Sequence, residues 1–349
     1  MPLRAIRESR DVYSFDYDEV SWAKLKAEKP RDLTTACCGE KAVPKTSKLG
    51  NRFFSHVKRG NCATAPESAE HIFLKTLIVE SARRYGWSAT TEKPGISPSG
   101  EPWVADVLCE KGTTKVAVEV QWSYQNREDF VRRQRRYAAS GIRAAWLYRL
   151  KSNAKYWPID ELPSTFELPI FGIQQHKQSQ TIFVPQFNVS VDRFVNGLFD
   201  GELEWLPKEG QNLEFGLILH GEKCWRCRRS TKYVLGLSVS TERGTRLYFL
   251  SFSREGVAQL ILKNLGNQHL RQHGVGALKL RYSKTANERY LSNGCMHCDA
   301  IAGNFYISQA ALNYTNLPDA VGKFALEWRK QIYIPQKWYF AGMPERTLF

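Results

Sequence analysis

Along residues 66–150 the spacing of apolar side chains switches between two periods, and each switch marks an element. In PESAEHIFLKTLIVESARRYGW, the positions Ile72, Leu74, Leu77, Ile78 and Ala82 supply most of one helical face. Pro66 suits a first turn, Glu67 and Glu70 favour the positive end of a helix, and Gly86 sits near its close. The Gly-, Pro- and Ser-rich stretch EKPGISPSGEP reads as a loop. ADVLCEKGTTKVAVEVQWS then alternates apolar and polar positions, as a two-stranded hairpin does. NREDFVRRQRRYAASG returns to the helical period and stops at Gly141, and IRAAWLYRL reads as another strand. This order of helix, strand, strand, helix, strand predicts an α/β (α+β) core with a mixed sheet.

Register within the hairpin brings two acids together. With Gly112 and Thr113 as a type II′ turn, Lys111 faces Thr114, and counting back places Asp106 opposite Glu119. Opposed Cβ atoms stand roughly 4.5–5.5 Å apart, where like charges destabilise a sheet, and burial worsens the conflict. A divalent cation relieves it, and hard oxygen donors suit Mg2+ or Mn2+. Alternation puts Glu119, Gln121 and Ser123 on one strand face, and Val118, Val120 and Trp122 on the other. Gln121 is thus placed to orient a water or touch a phosphate. On the first helix Glu67, His71 and Lys75 form one polar stripe, which makes Glu67 a third acidic candidate. His71 beside it suits either a catalytic role or a helix-surface one. On the second helix Phe130, Arg133 and Tyr137 share a face, with the rings packing on the sheet and Arg133 reaching towards the site to grip a phosphate. The other arginines of RRQRR add general attraction to a polyanion.

Composition extends the picture. The 349 residues allow more than one domain, and the net charge of +15, shared by both halves of the chain, suits nucleic acid. No apolar run approaches the ~18–20 residues that cross a bilayer. The opening MPLRAIRESRDVYSFDYDEV lacks a signal-peptide core, so a cytoplasmic protein with no membrane partner is expected. The expected order is a small N-terminal module (1–65), the core (66–150), a polar, Pro-rich connector (151–190) and a C-terminal zinc-knuckle domain (191–349). Four of the eight cysteines form two C-x-x-C pairs, Cys224/Cys227 and Cys295/Cys298. In a reducing compartment two such knuckles complete one closed, structural Zn2+ site. Cys109 reads as a packed core cysteine. The remaining set, Cys37, Cys38, His56 and Cys62, is either a second Zn2+ site or a reduced, partly buried cluster.

The residues E67-S-A-E-H71-x-x-x-K75, A-D106-V, V-E119-V-Q121-x-S123, R133-x-x-x-Y137, G141-I and W146-L together resemble the PD-(D/E)XK nuclease superfamily, and within it the CoiA-like competence proteins. The resemblance covers about Pro66 to Leu150 and implies a restriction-endonuclease-like core. The superfamily's usual E-x-K is E-x-Q here, as in the CoiA-like branch, so the lysine that helps to activate a water is missing. CoiA-like proteins often carry a Cys-x-x-Cys and an HFxH-like segment ahead of the nuclease helix; this chain has adjacent cysteines and FFSH. The resemblance implies Mg2+- or Mn2+-dependent hydrolysis of phosphodiester bonds. Asp106, Glu119 and the Val120 carbonyl would hold the ion, Glu67 would assist through water, and Gln121 would position the nucleophile.

Two further readings compete with a DNA nuclease of uptake, recombination or mobile-element defence. One is a non-catalytic nucleic-acid binder on a decayed nuclease core, which Gln121 favours and the retention of Glu67, Asp106 and Glu119 opposes. The other is an adaptor with a protein partner. A homodimer is compatible with each.

Overall fold

The computed structural model describes residues 2–62, 67–150, 164–175, 181–312 and 320–341. Contacts divide the chain into two compact units, Met1–Glu204 with Trp338–Gly342, and Trp205–Lys337 with Met343–Phe349.

The first unit opens with β1 (Arg4–Arg7), β2 (Arg10–Tyr13), α1 (Glu19–Glu28), β3 (Leu33–Thr35), β4 (Ala42–Thr46) and β5 (Arg52–His56). These build a three-stranded sheet, ordered β2-β1-β3, and a β4–β5 hairpin. Ala5, Trp22, Leu25, Leu33, Ala42 and Phe54 form their small core.

The core follows as α2 (Ala69–Arg84), β6 (Ser88–Ile96), β7 (Pro102–Lys111), β8 (Thr114–Gln121), α3 (Arg127–Ala139) and β9 (Arg143–Arg149). It continues through β10 (Ile170–Gln175), β11 (Ile182–Val184), β12 (Val189–Ser190) and α4 (Val191–Asp200). One seven-stranded sheet, ordered β12-β11-β10-β9-β8-β7-β6, collects these strands. The β8–β9 and β9–β10 pairs are parallel and the others antiparallel. The sheet is therefore mixed, as the sequence predicts.

Local chemistry sets the helix ends. Ser68 caps α2 by accepting from the His71 amide, so Glu67 lies just ahead of the helix, not within it. Pro66, read as a first-turn residue, lies outside the described residues. Asn126 caps α3, which ends at Ser140 and Gly141, the latter at φ +69°. On its inner face Phe130 and Tyr137 join Ala117, Ala144, Trp146 and Ile170 in one core. Val118 and Val120 thus face away from α3, while α2 packs across β6, β7 and β8.

Two expectations change. EKPGISPSGEP is not a loop throughout: its first half completes β6, the edge strand, where a proline costs no ladder bond, and the turn is confined to Ser97–Gly100. The stretch read as a connector (151–190) supplies β10 to β12, and α4 also falls in the first unit. Residues 151–163 and 176–180 of that stretch lie outside the described residues.

At the division between units run β13 (Leu203–Leu206) and, near the other end, a strand over Lys337–Phe340. The second unit holds β14 (Gln211–Lys223), β15 (Ser230–Thr241), β16 (Arg246–Ser251), α5 (Val257–Asn264), α6 (Gly266–Gln272), β17 (Lys279–Ser283), β18 (Glu288–Gly294), β19 (Ile301–Ala302), α7 (Asn304–Leu312) and β20 (Lys323–Trp328). Its main sheet is ordered β16-β15-β14-β20, and a second runs β17-β18-β19. No helix among the described residues is long and apolar enough to cross a membrane.

Candidate active site and metal centres

The hairpin register is the one expected, with Lys111 opposite Thr114 and Gly112 at φ +59° while Thr113 keeps negative φ. The ladder runs back to Val107–Val118 and stops. At the next position side chains replace backbone partners. The Asp106 amide donates to Glu119 Oε1 (3.2 Å), and the Val120 amide donates to Asp106 Oδ2 (2.9 Å). The two carboxylates therefore do not stand face to face. Asp106 turns towards α2 and Glu119 towards α3.

On the α2 side, His71 Nε2 lies 3.5 Å from Asp106 Oδ2 and, though buried, makes no hydrogen bond. Glu67, His71 and Asp106 each bring a ligand atom within 4.8 Å of the others. Burial works against ionisation of Asp106, but His71, Lys75 and the Val120 amide overcome it and hold the carboxyl well below its usual range. Burial likewise opposes a charged His71, yet Asp106 and Glu67 raise its pKa.

Sequence reasoning missed how deeply Lys75 is built in. Its side chain is 0% exposed, and its ammonium binds Glu67 Oε1 (3.0 Å) and Glu92. Glu92 sits on β6 opposite Asp106, at φ +47°, between the ladder pairs Thr91–Val107 and Lys93–Ala105. The Leu3 amide donates to the Glu92 carboxylate, and Arg4 donates to the Glu92 carbonyl, which ties the N-terminal module to the site. The carboxylates raise the Lys75 pKa against its burial, so this lysine is a fixed cation, not a base.

On the α3 side, fully buried Glu119 accepts from Tyr137 Oη (2.6 Å) and pairs with Arg133. Burial and the Asp106 charge push its pKa up to about 7, with Arg133 and Tyr137 pulling the other way. Arg133 also donates to Gln121 Oε1 (3.2 Å) and Gln125 Oε1 (3.1 Å), and lies over the Trp146 ring at 4.5 Å. Its guanidinium is thus seated among the site's own acceptors. Gln121 donates to the Ser123 carbonyl (2.9 Å) and hydroxyl (3.1 Å). The arrangement joins an ionised Asp106 to a Glu119 that titrates near neutrality.

In the second unit the two knuckles meet. Cys224 Sγ lies 3.7 Å from Cys298 Sγ, and Cys227 Sγ 3.7 Å from Cys295 Sγ. Four thiolates about 2.3 Å from one tetrahedral Zn2+ stand about 3.8 Å apart. None of the four forms a disulfide. Burial opposes the Cys224 thiolate, but the amides of Cys227 and Arg226 bring its pKa down to about 6. The four residues fit zinc.

Each knuckle has the same turn. The Cys224 and Cys295 amides donate to the carbonyls five residues on, and the residues four on, Arg228 and Asp299, donate back to the cysteine carbonyls. Arg228 and Asp299 both have positive φ, +59° and +58°. A third copy of this turn occurs at Thr35–Glu40: the Thr35 amide donates to Glu40 O, the Gly39 amide donates to Thr35 O, and Gly39 has φ +74°. Here Thr35 occupies the first cysteine position and Cys38 the second. Around this turn Cys38 and Cys37 lie 3.2 and 3.5 Å from His56 Nε2, and Cys37 lies 3.6 Å from Cys62. All four candidate residues of the N-terminal set come together.

Residues 67–194 match the family model described as competence protein CoiA, nuclease-like domain, and this segment, under half of the chain, is similar to that domain. No curated protein matches the chain. Among solved structures, the small subunit of the heterodimeric restriction endonuclease R.BspD6I is similar at 15% identity and a TM-score of 0.21. That match covers 31% of this chain and 65% of the subunit's length, just under two thirds.

Proposed function

We propose that this protein is a divalent-metal-dependent nuclease that hydrolyses phosphodiester bonds of DNA. The observation that carries the proposal is the convergence of Glu67, His71 and Asp106 inside a CoiA-like nuclease-like domain. A buried imidazole nitrogen with no hydrogen-bond partner beside an ionised carboxylate fits a cation. Asp106, Glu67 and His71 would hold Mn2+ or Mg2+, with Glu119 and the Val120 carbonyl from the neighbouring strand completing the set. Such an ion lowers the pKa of a bound water and offsets charge on the phosphate.

The chain's own residues supply the rest. Lys75 fixes the Glu67 carboxylate from within the core. Tyr137 and the Asp106 amide orient Glu119 for the ion, whose charge would offset the burial that raises the Glu119 pKa. Gln121 positions a water, and Arg133, seated beside it, supplies positive charge for the phosphate. The charge of +15 supports a polyanionic substrate.

We assign one structural Zn2+ to Cys224, Cys227, Cys295 and Cys298 and a second to Cys37, Cys38, His56 and Cys62. Both suit a protein kept in a reducing compartment such as the cytoplasm. Roles in DNA uptake, recombination or defence, and a homodimeric or partner-bound state, are compatible with this chemistry.

A decayed, DNA-binding site is the second reading, favoured by the Arg133–Glu119 pair, which neutralises the strand carboxylate. Incubating wild type and Glu119→Ala with labelled single-stranded, duplex and branched DNA, with and without Mn2+ or Mg2+, separates the two. Metal-dependent cutting lost in the variant supports the nuclease. Equal, salt-sensitive binding with no cutting by either protein supports the binder.

A further inference from the structure

We propose that the first zinc knuckle, at the tip of the β14–β15 hairpin, is a binding site for single-stranded nucleic acid, with Trp225 as its stacking platform. The proposal rests on the nucleic-acid reading above for its class of ligand, but on different residues.

The two knuckles of the second unit share one backbone turn and differ in what it displays. The second shows Met296, His297 and Asp299, and Asp299 is tied to Lys279 and Arg281. The first shows Trp225, Arg226, Arg228 and Arg229. All three arginines are exposed, and among the described residues none makes an ion pair. Lys223 and Lys232, also exposed, flank them at the base of the tip, and Glu222 is the one acid between 220 and 232. Arg228 holds the left-handed position that glycine fills in the N-terminal copy of the turn. A side chain there costs backbone energy, so the turn itself gives no reason for arginine. The cation faces outward, where it serves a ligand.

Trp225 is 60% exposed, although indoles ordinarily bury most of their surface. Its Nε1–H donates to the Ile301 carbonyl (3.0 Å), which anchors one edge and leaves the ring surface to solvent. The knuckle backbone beneath it is held by the turn hydrogen bonds, so little freedom is lost when a base stacks. A rigid exposed indole among cations matches the aromatic-plus-basic chemistry that binds unpaired bases and their phosphates. Duplex DNA hides its base faces and offers the arginines only phosphates, so the ring discriminates between the two.

The test uses the full chain without added Mn2+ or Mg2+ and follows fluorescence anisotropy of a labelled single strand and of its duplex. Zinc content and circular dichroism establish that each variant is folded. Trp225→Ala weakens single-strand binding by about 5- to 150-fold, the range of one lost stack, and duplex binding much less. Trp225→Phe keeps most of the affinity. Replacing Arg226, Arg228 and Arg229 together by Gln lowers the salt slope on the single strand by about 2. If Trp225→Ala loses zinc, Trp225→Phe and the arginine variant decide, since both keep an aromatic ring at position 225. Unchanged single-strand affinity in Trp225→Ala, as expected of a protein-docking surface, overturns the proposal. So does an equal loss on both probes. Neither outcome touches the nuclease reading, which is tested by metal-dependent cleavage and its loss in Glu119→Ala.

Discussion

The amide of Asp106 donates to the carboxylate of Glu119 at the point where the β7–β8 ladder ends, and the Val120 amide returns the bond to Asp106. This exchange separates two acids that register alone would set side by side. One is left ionised next to α2, and the other is buried under α3 with a pKa near neutrality.

Stability without added Mn2+ or Mg2+ should depend on pH through Glu119. Its folded value of about 7 lies above the unfolded 4.5, so its contribution is full below the unfolded value and is lost as pH rises through the folded one. His71, also raised, loses its contribution as pH rises beyond its ordinary 6.5. Melting temperature should fall between about pH 4.5 and 7, and Glu119→Gln should flatten that fall. A melting curve rising through this window in wild type contradicts the assignment.

A donor set that adds the His71 imidazole to carboxylates suits Mn2+ better than Mg2+, which strongly prefers oxygen. Cleavage should be faster in Mn2+ than in Mg2+ at equal concentration. His71→Asn should remove the difference; an unchanged ratio places His71 outside the ion's reach.

Lys75 neutralises Glu67 and Glu92 from a fully buried position. Lys75→Met leaves two carboxylates without their cation and should cost about 3–5 kcal/mol by chemical denaturation. A cost below about 1 kcal/mol, typical of a surface pair, contradicts this placement.

The N-terminal turn predicts its own rescue. Purified protein should carry two Zn2+ per chain, and Cys37→Ser, Cys38→Ser or His56→Ala should each remove one. Thr35 stands where both other knuckles have their first cysteine, so Thr35→Cys should restore the second Zn2+ to Cys37→Ser. One Zn2+ per wild-type chain, lost only with Cys224, Cys227, Cys295 or Cys298, contradicts the second site.

What the sequence made legible follows from how local each signal is. The β7–β8 register was readable because Gly112–Thr113 sets it within two residues. The ends of α3 were readable because Asn126 and Gly141 are local caps. Strand β6 was hidden because Pro94 and Gly95 look like a turn. Gly95 is instead a packing requirement, since a Cβ there would fall 2.1 Å from the Trp103 ring. Glu92 disappeared with that strand. A lysine stripe position gave no sign that Lys75 would be buried, because its partners are set by tertiary packing. The third knuckle was invisible because its first position is a threonine and only backbone geometry identifies it.

The most direct test of the central claim is single-turnover cleavage of labelled DNA by Asp106→Asn beside wild type in Mn2+, with zinc content and folding matched. Asp106 touches both halves of the site, so the account predicts that the variant falls to the rate seen without Mn2+ while still binding DNA. Cleavage by Asp106→Asn at the wild-type rate would contradict it.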